Sequence, residues 1–143
     1  MVDPKRDPDL LAAIEQLFFA YRAFTDLPDR ILEQQGLGRV HHRILYFVGR
    51  NPGISVSGLL DILQVSKQAI HAPVRQLMQL DLIAMQPDPA DRRVKQLALT
   101  TDGGALESEL TGAQTRYLQG VFERAGPRAE QGWREVMRQM VRA

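Results

Sequence analysis

Ser55-Val56-Ser57-Gly58-Leu59-Leu60-Asp61-Ile62-Leu63-Gln64-Val65-Ser66-Lys67-Gln68-Ala69-Ile70-His71-Ala72-Pro73-Val74-Arg75-Gln76-Leu77 reads as two helices on either side of a tight turn. Ser55 can cap the first, because a serine hydroxyl accepts from the free N–H groups that open a helix. Leu59, Leu60, Ile62 and Leu63 are then expected to face the core. Gln64-Val65 makes the link and Ser66 caps the second helix. Behind it Ile70, Val74 and Leu77 recur every three or four residues, and the helix ends near Asp81. Two short helices joined so tightly form a helix-turn-helix. Leu82-Ile83-Ala84-Met85 follows as a strand, Gln86 to Arg93 as a polar hairpin tip, and Val94-Lys95-Gln96-Leu97-Ala98-Leu99 as the returning strand. A helix-turn-helix followed by a basic hairpin is a winged helix.

Upstream, Asp7-Pro8-Asp9 supplies an N-cap, a proline in the first turn and an acid beside it, so a helix starts there. Leu10, Leu11, Ile14, Leu17, Phe18 and Tyr21 recur at helical spacing, while Ala12, Ala13, Phe19 and Ala20 add apolar surface off that stripe. Asp26-Leu27-Pro28-Asp29 reads as a break, followed by a short helical stretch around residues 31–35 that Gly36-Leu37-Gly38 ends. A further helix carries Val40, Ile44, Phe47 and Val48 as far as the turn Asn51-Pro52-Gly53. Downstream, Leu106, Leu110, Ala113, Tyr117, Val121 and Phe122 share one side of a helix capped near Thr101 or Asp102. Gly126-Pro127 separates it from a last helix bearing Trp133, Val136, Met137, Met140 and Val141.

The expected fold is therefore mainly α: one domain of 143 residues with a winged helix-turn-helix and two-stranded β wing over 37–100, flanked by helices over 7–36 and 101–143. Leu10, Leu11, Ile14 and Leu17 at one end and Trp133, Val136, Met137 and Met140 at the other carry more apolar surface than one small domain buries. The flanking helices are expected to form a homodimer; the alternative is that the two ends cover each other within one subunit.

Composition narrows the function classes. The 44% hydrophobic and 24% charged residues are those of a globular protein, and no apolar run approaches the roughly 20 residues that cross a bilayer. No membrane association is expected, and residues 1–7 lack the apolar stretch of a secretory signal, so a cytoplasmic location is expected. The absence of cysteine excludes disulfides, thiolate catalysis and cysteine zinc sites. Net charge is only +1, yet it is unevenly spread. Residues 41–100 hold seven Lys/Arg against four Asp/Glu and all three histidines, whereas residues 1–40 hold five against seven and the remainder six against six. A basic middle between neutral or acidic flanks suits a polyanion-binding module framed by interaction helices.

The order helix, helix-turn-helix, wing, long helix, with Asp91-Arg92-Arg93 leading into Leu97-Ala98-Leu99-Thr100 and then Thr101-Asp102-Gly103-Gly104, resembles the MarR family of bacterial transcriptional regulators. The family's wing signature, D-x-R-x-x-x-[LV]-x-L-T, is matched at every fixed position. The stretch His42 to Val48 through Pro52-Gly53, and Leu59 to Leu63 with Ser66-Lys67-Gln68, are similar to the family before and within its helix-turn-helix. The resemblance covers the whole chain and is strongest from Leu37 to Gly104. It implies a homodimer on a pseudo-palindromic double-stranded DNA operator, often released by a small-molecule ligand lodged between dimerisation and DNA-binding parts.

Ser66, Lys67, Gln68, His71 and Arg75 lie off the core stripe and form the expected groove-facing set. Gln68 can pair bidentately with adenine, and Lys67 and Arg75 can reach guanine or phosphate. Arg93 matches the family arginine that enters the minor groove; Asp91 can orient it, and Arg92 and Lys95 add phosphate contacts. Phe18, Tyr21, Arg22, His42, Tyr46 and Phe47 are the residues expected to line an effector pocket between the first two helices, or else simply to be core. His41-His42 is a poor metal pair, because neighbours on a helix diverge by about 100° and no Cys or Glu nearby completes a site. No metal, cofactor or catalytic set is expected: Gly103-Gly104 is not followed by the residues of a phosphate loop, and no Ser/His/Asp motif stands out.

The chain departs from the family at two places. Pro73 falls inside the recognition helix, where it cannot donate to the Ala69 carbonyl, and a bend near Ala69–Pro73 is expected; many relatives also carry arginine where this chain has Ala72. A repressor is the leading reading. A winged-helix module that contacts proteins, with weak or no DNA binding, is the alternative, and a metal-dependent enzyme centred on His41 and His42 is a third.

Overall fold

A computed structural model describes residues 3–142. The chain divides into two compact units, Leu27–Thr111 and the flanking segments up to Asp26 and from Gly112. The main helices are α1 (Pro8–Glu33), α2 (Arg39–Arg50), α3 (Val56–Leu63), α4 (Lys67–Gln79), α5 (Thr101–Ala125) and α6 (Pro127–Arg142), with strands β1 (Ile54–Ser55), β2 (Ile83–Pro87) and β3 (Lys95–Leu99).

The unit Leu27–Thr111 holds the continuous core. Leu32, Ile44, Leu45, Val48, Leu59, Leu77, Leu97 and Leu110 are fully buried, with Ile70, Val74 and Ile83 nearly so. Ser55 caps α3 by accepting from the Gly58 N–H at 3.0 Å, and Ser66 caps α4 by accepting from the Ala69 N–H at 3.1 Å, as the sequence predicts. Between them the helix end is made by Gln64, in the left-handed region with its N–H donating to the Leu60 carbonyl at 2.8 Å. Helix α4 runs unbroken through Pro73. One element of the helix-turn-helix differs from expectation. Leu59 and Leu63, four residues apart, set the inward direction of α3, and Ile62 lies to its side, 42% exposed.

The sheet has three antiparallel strands in the order β1-β3-β2, where two were expected. The third strand is the pair Ile54 and Ser55 opposite Leu97 and Gln96, too short to carry any alternation a sequence could reveal. The β2–β3 hairpin pairs Ile83 with Leu99 and runs to Pro87 opposite Lys95. Helix α5 is capped one residue earlier than expected, at Thr100. Its hydroxyl accepts from the Gly103 N–H at 3.0 Å and donates to the Asp81 carbonyl at 2.6 Å, tying the sheet exit to the end of α4.

A second correction concerns the first helix. The expected break at Asp26-Leu27-Pro28-Asp29, with a separate stretch beyond it, is absent: α1 is one helix through Pro28. Proline removes one helical hydrogen bond but keeps a helical φ, and here its ring is buried beside a turn that ends in the fully buried Leu32. Apolar burial outweighs the lost donor.

The flanking unit contains the first part of α1, the second part of α5 and α6. Asp7 caps α1 by accepting from the Asp9 N–H at 2.9 Å. Gly126, at φ +95°, turns the chain where L side chains rarely go, and Pro127 opens α6 behind it. This unit has little interior of its own, since Thr25 and Ala113 are its only buried residues among those described. Leu10, Leu11, Ile14, Leu17, Trp133, Val136 and Met140 are 41–65% exposed, and with Met137 they line one apolar groove of about 900 Å³.

Candidate nucleic-acid interface

Helix α4 buries Ile70, Val74 and Leu77 and turns the opposite face to solvent. Ser66, Lys67, Gln68, His71 and Arg75 are all exposed on that face, as the spacing predicts. Its start is oriented by the Ser66 cap, so the first backbone N–H groups and Lys67 share one end. A helix N-terminus with a cation beside it suits a phosphate. One turn further on, Arg75 Nη2 lies 2.7 Å from His71 Nε2.

The wing tip is built from its own polar side chains. Asp88 accepts from the Ala90 N–H at 2.7 Å and from Gln96 Nε2 at 3.0 Å, while the Asp88 N–H donates to the Val94 carbonyl at 2.8 Å. Asp91 then grips Arg93: Oδ1 accepts from Nε and from the Arg93 N–H, both at 3.1 Å, and Oδ2 accepts from Nη2 at 3.2 Å. Those bonds, side chain first and backbone second, hold the Asp91 carboxyl below its ordinary range. The Arg93 side chain is 90% exposed. It therefore projects into solvent as an oriented cation, held on one edge by Asp91. Arg92 and Lys95 are exposed on either side of it.

These two parts meet around a single cleft of about 510 Å³ within the winged-helix unit. Lys67 and His71 of α4 and Arg93 and Lys95 of the wing line it, over an apolar floor that includes Leu60, Ile70, Val74 and Met85. No carboxylate lines the cleft among the described residues; Asp91 offsets Arg93 at its edge, and Lys67 and Lys95 supply the positive charge that favours an anion.

The paired histidines have different duties. His41 is buried, its Nδ1 accepting from the Gly38 N–H at 3.0 Å and its Nε2 within 2.9 Å of Gln76 Oε1. Both ring nitrogens are thus spent joining the start of α2 to α4. His42 is half-buried, and burial lowers its pKa although Glu107 and Asp29 pull the other way. No group of three or more metal-ligating side chains occurs among the described residues. Of the expected effector residues, Phe18, Tyr21 and Arg22 belong to the flanking unit, with the Arg22 guanidinium 5.7 Å from the Phe18 ring. His42, Tyr46 and Phe47 belong to the winged-helix unit, where the Tyr46 and Phe47 rings meet edge to face at 5.1 Å.

Sequence reasoning missed one charged pair. Arg50 Nη1 lies 2.9 Å from Oε1 of Glu107, whose side chain is only 5% exposed, and the Arg50 guanidinium also lies over the Tyr46 ring at 4.7 Å. Glu107 sits between Leu106 and Leu110, so helical periodicity alone marks it as a flank of the apolar stripe rather than a buried acid.

The sequence profile of the MarR family matches residues 35–94, from the turn after α1 to the wing tip. The HTH-type transcriptional regulator PetP of Rhodobacter capsulatus is 41% identical over 135 residues, 94% of this chain and 81% of that protein. Two solved structures share the fold at lower identity. The PcaV transcriptional regulator from Streptomyces coelicolor, crystallised with its natural ligand, has a TM-score of 0.71 at 19% identity, over 100% of this chain and 97% of its own. An S. aureus MepR mutant bound to an oligodeoxyribonucleotide has a TM-score of 0.62 at 20% identity, over 90% and 95% respectively.

Proposed function

Because this chain belongs to the MarR family of helix-turn-helix transcriptional regulators, we propose that it is a homodimeric repressor that occupies a pseudo-palindromic operator and leaves it when a small-molecule effector binds. The observation that carries the reading is the shared cleft, with Lys67 and His71 of α4 on one side and Arg93 and Lys95 of the wing on the other. A helix presented to the major groove, with a cationic hairpin beside it for the neighbouring minor groove, is how a winged helix holds duplex DNA. Phosphate contacts from Lys67, Arg92 and Lys95 position the protein, while Gln68, Arg75 and Arg93 read the sequence.

The dimer is supported by the flanking unit. Its apolar groove, with Ile14 65% and Val136 55% exposed, is the kind of surface a soluble chain covers with a partner. A two-fold dimer places two α4 helices on successive major grooves about 34 Å apart, or a multiple of that. The chemistry is binding and not catalysis, it acts on cytoplasmic DNA, and it requires neither metal nor cofactor. No helix among the described residues is long and apolar enough to cross a membrane.

Selection of bound sites from a random duplex library tests the proposal. An inverted repeat with half-sites about one turn apart is expected. Recovery of no enriched sequence would favour the same surface meeting a protein partner.

A further inference from the structure

On the exposed face of α4, Arg75 Nη2 stands 2.7 Å from His71 Nε2. A guanidinium has only donors, so in this contact Arg75 donates and His71 Nε2 accepts, which is the role of the tautomer with its proton on Nδ1. The two residues are one helical turn apart, where side chains meet without distortion. Neither contributes to the core: both are exposed. We propose that His71 is a positioning residue, which holds the Arg75 guanidinium in one orientation so that Arg75, rather than His71, reads a guanine in the major groove. This deepens the DNA-binding reading above and rests on it.

The advantage of such a pair is entropic and electrostatic. An arginine reads guanine by aligning two parallel N–H groups with O6 and N7, and a free arginine must freeze several torsions to do so. The bond to His71 uses one of five donors and leaves enough for that fork. A carboxylate in the place of His71 would orient the guanidinium equally well but would set a negative charge against the DNA backbone. A neutral imidazole orients without repelling phosphate. His71 also lines the cleft with Lys67, Arg93 and Lys95, so the pair stands on the surface proposed to meet DNA.

The test compares wild type with His71→Leu, His71→Gln, Arg75→Ala and the double variant His71→Leu/Arg75→Ala. For each, affinity is measured for the selected operator, for operators changed at single base pairs, and for random duplex, with thermal midpoints to confirm folding. Arg75→Ala should abolish preference for guanine at one position of each half-site. His71→Leu should weaken discrimination at that same position about five- to tenfold, His71→Gln should restore most of it, and the double variant should match Arg75→Ala. His71→Leu and His71→Gln should bind random duplex equally well, since neither replacement carries a charge. Unchanged discrimination in His71→Leu, or a change at a different base pair, would overturn the proposal. Failure of the wild type to select any operator would instead overturn the DNA-binding reading itself.

Discussion

Asp91 and Arg93, two residues apart at the tip of the wing, form a fork in which one carboxylate oxygen takes Nε and the other takes Nη2, at 3.1 and 3.2 Å. The carboxylate has little effect on stability, because the arginine is 90% exposed and solvent screens the pair. Its value is orientation. Arg93→Ala is expected to weaken operator binding by about 1–3 kcal/mol. Asp91→Ala should lose part of the same energy, and the double variant should be less than additive because the two act as one unit. Asp91 titrates below the ordinary carboxylate range, so its contribution is present above that range and fades as pH falls through the lowered value. The fork should thus stay charged throughout about pH 5–8. Fluorescence anisotropy with labelled operator measures each of these effects, and wild-type binding by Arg93→Ala would remove the wing from the set of readers.

Gly103 packs directly on the backbone of Leu82. A Cβ at this position would fall on the Leu82 carbonyl oxygen, which already accepts from the Thr100 N–H. Since neither partner is a flexible side chain, Gly103→Ala should destabilise the fold by about 1–3 kcal/mol or more through overpacking. Gly104→Ala, with nothing within 4 Å of the added atom, serves as the control and should be neutral or slightly stabilising. Urea unfolding midpoints distinguish the two.

Glu107 is buried against Arg50, and one of its oxygens has no hydrogen-bond partner among the described residues. Arg50→Ala should cost about 1–3 kcal/mol by leaving the whole carboxylate unpaired. Glu107→Gln should cost less, because an amide oxygen still accepts from Arg50 without a buried charge. His42, nearby, is kept neutral by burial. Its folded pKa lies below the unfolded value near 6.5. On acidification the unfolded chain therefore takes up the proton first, and stability falls as pH drops below about 6.5. His42→Asn should flatten that dependence, and denaturation at about pH 7.5 and 5.5 compares the slopes.

Ile14 and Trp133 line the same apolar groove of the flanking unit, at 65% and 41% exposure. A single charge there, Ile14→Asp, should dissociate the dimer at micromolar concentration while leaving the helical signal in place, because neither residue belongs to the core. Light scattering and circular dichroism together check this. A wild-type chain that scatters as a monomer would contradict the dimer outright.

Much of this was legible in the residues. Ser55 and Ser66 announced both helix starts, because a hydroxyl at an N-cap is a local interaction that sequence order alone supplies. Asp91 and Arg93 were likewise close enough in sequence for their fork to be foreseen. What stayed hidden depended on distant partners. Strand β1 exists only because Leu97 and Gln96 lie opposite Ile54 and Ser55. Pro28 stays helical because its ring is buried, which no local rule reports. The His41–Gln76 and Arg50–Glu107 contacts join positions 35 and 57 residues apart, and the polar residue at each end looks like an ordinary flank of its own helix. The bond from Arg75 to His71 fell in the gap: both were named as groove-facing, but the role of one in orienting the other needed the distance.

Whether α4 and the wing hold a DNA duplex is decided by the salt dependence of binding. Affinity for the selected operator and for random duplex is measured from about 50 to 200 mM salt. The log–log slope should be steep, about −0.9 for each phosphate neutralised. Replacing Lys67 or Lys95 by alanine should make it shallower by about 1 for each phosphate that is no longer neutralised, counted over both subunits, without changing which sequence is preferred. A flat slope, or a steep one that the removal of Lys67, Lys95 and Arg93 together leaves unchanged, would mean that this surface does not meet DNA.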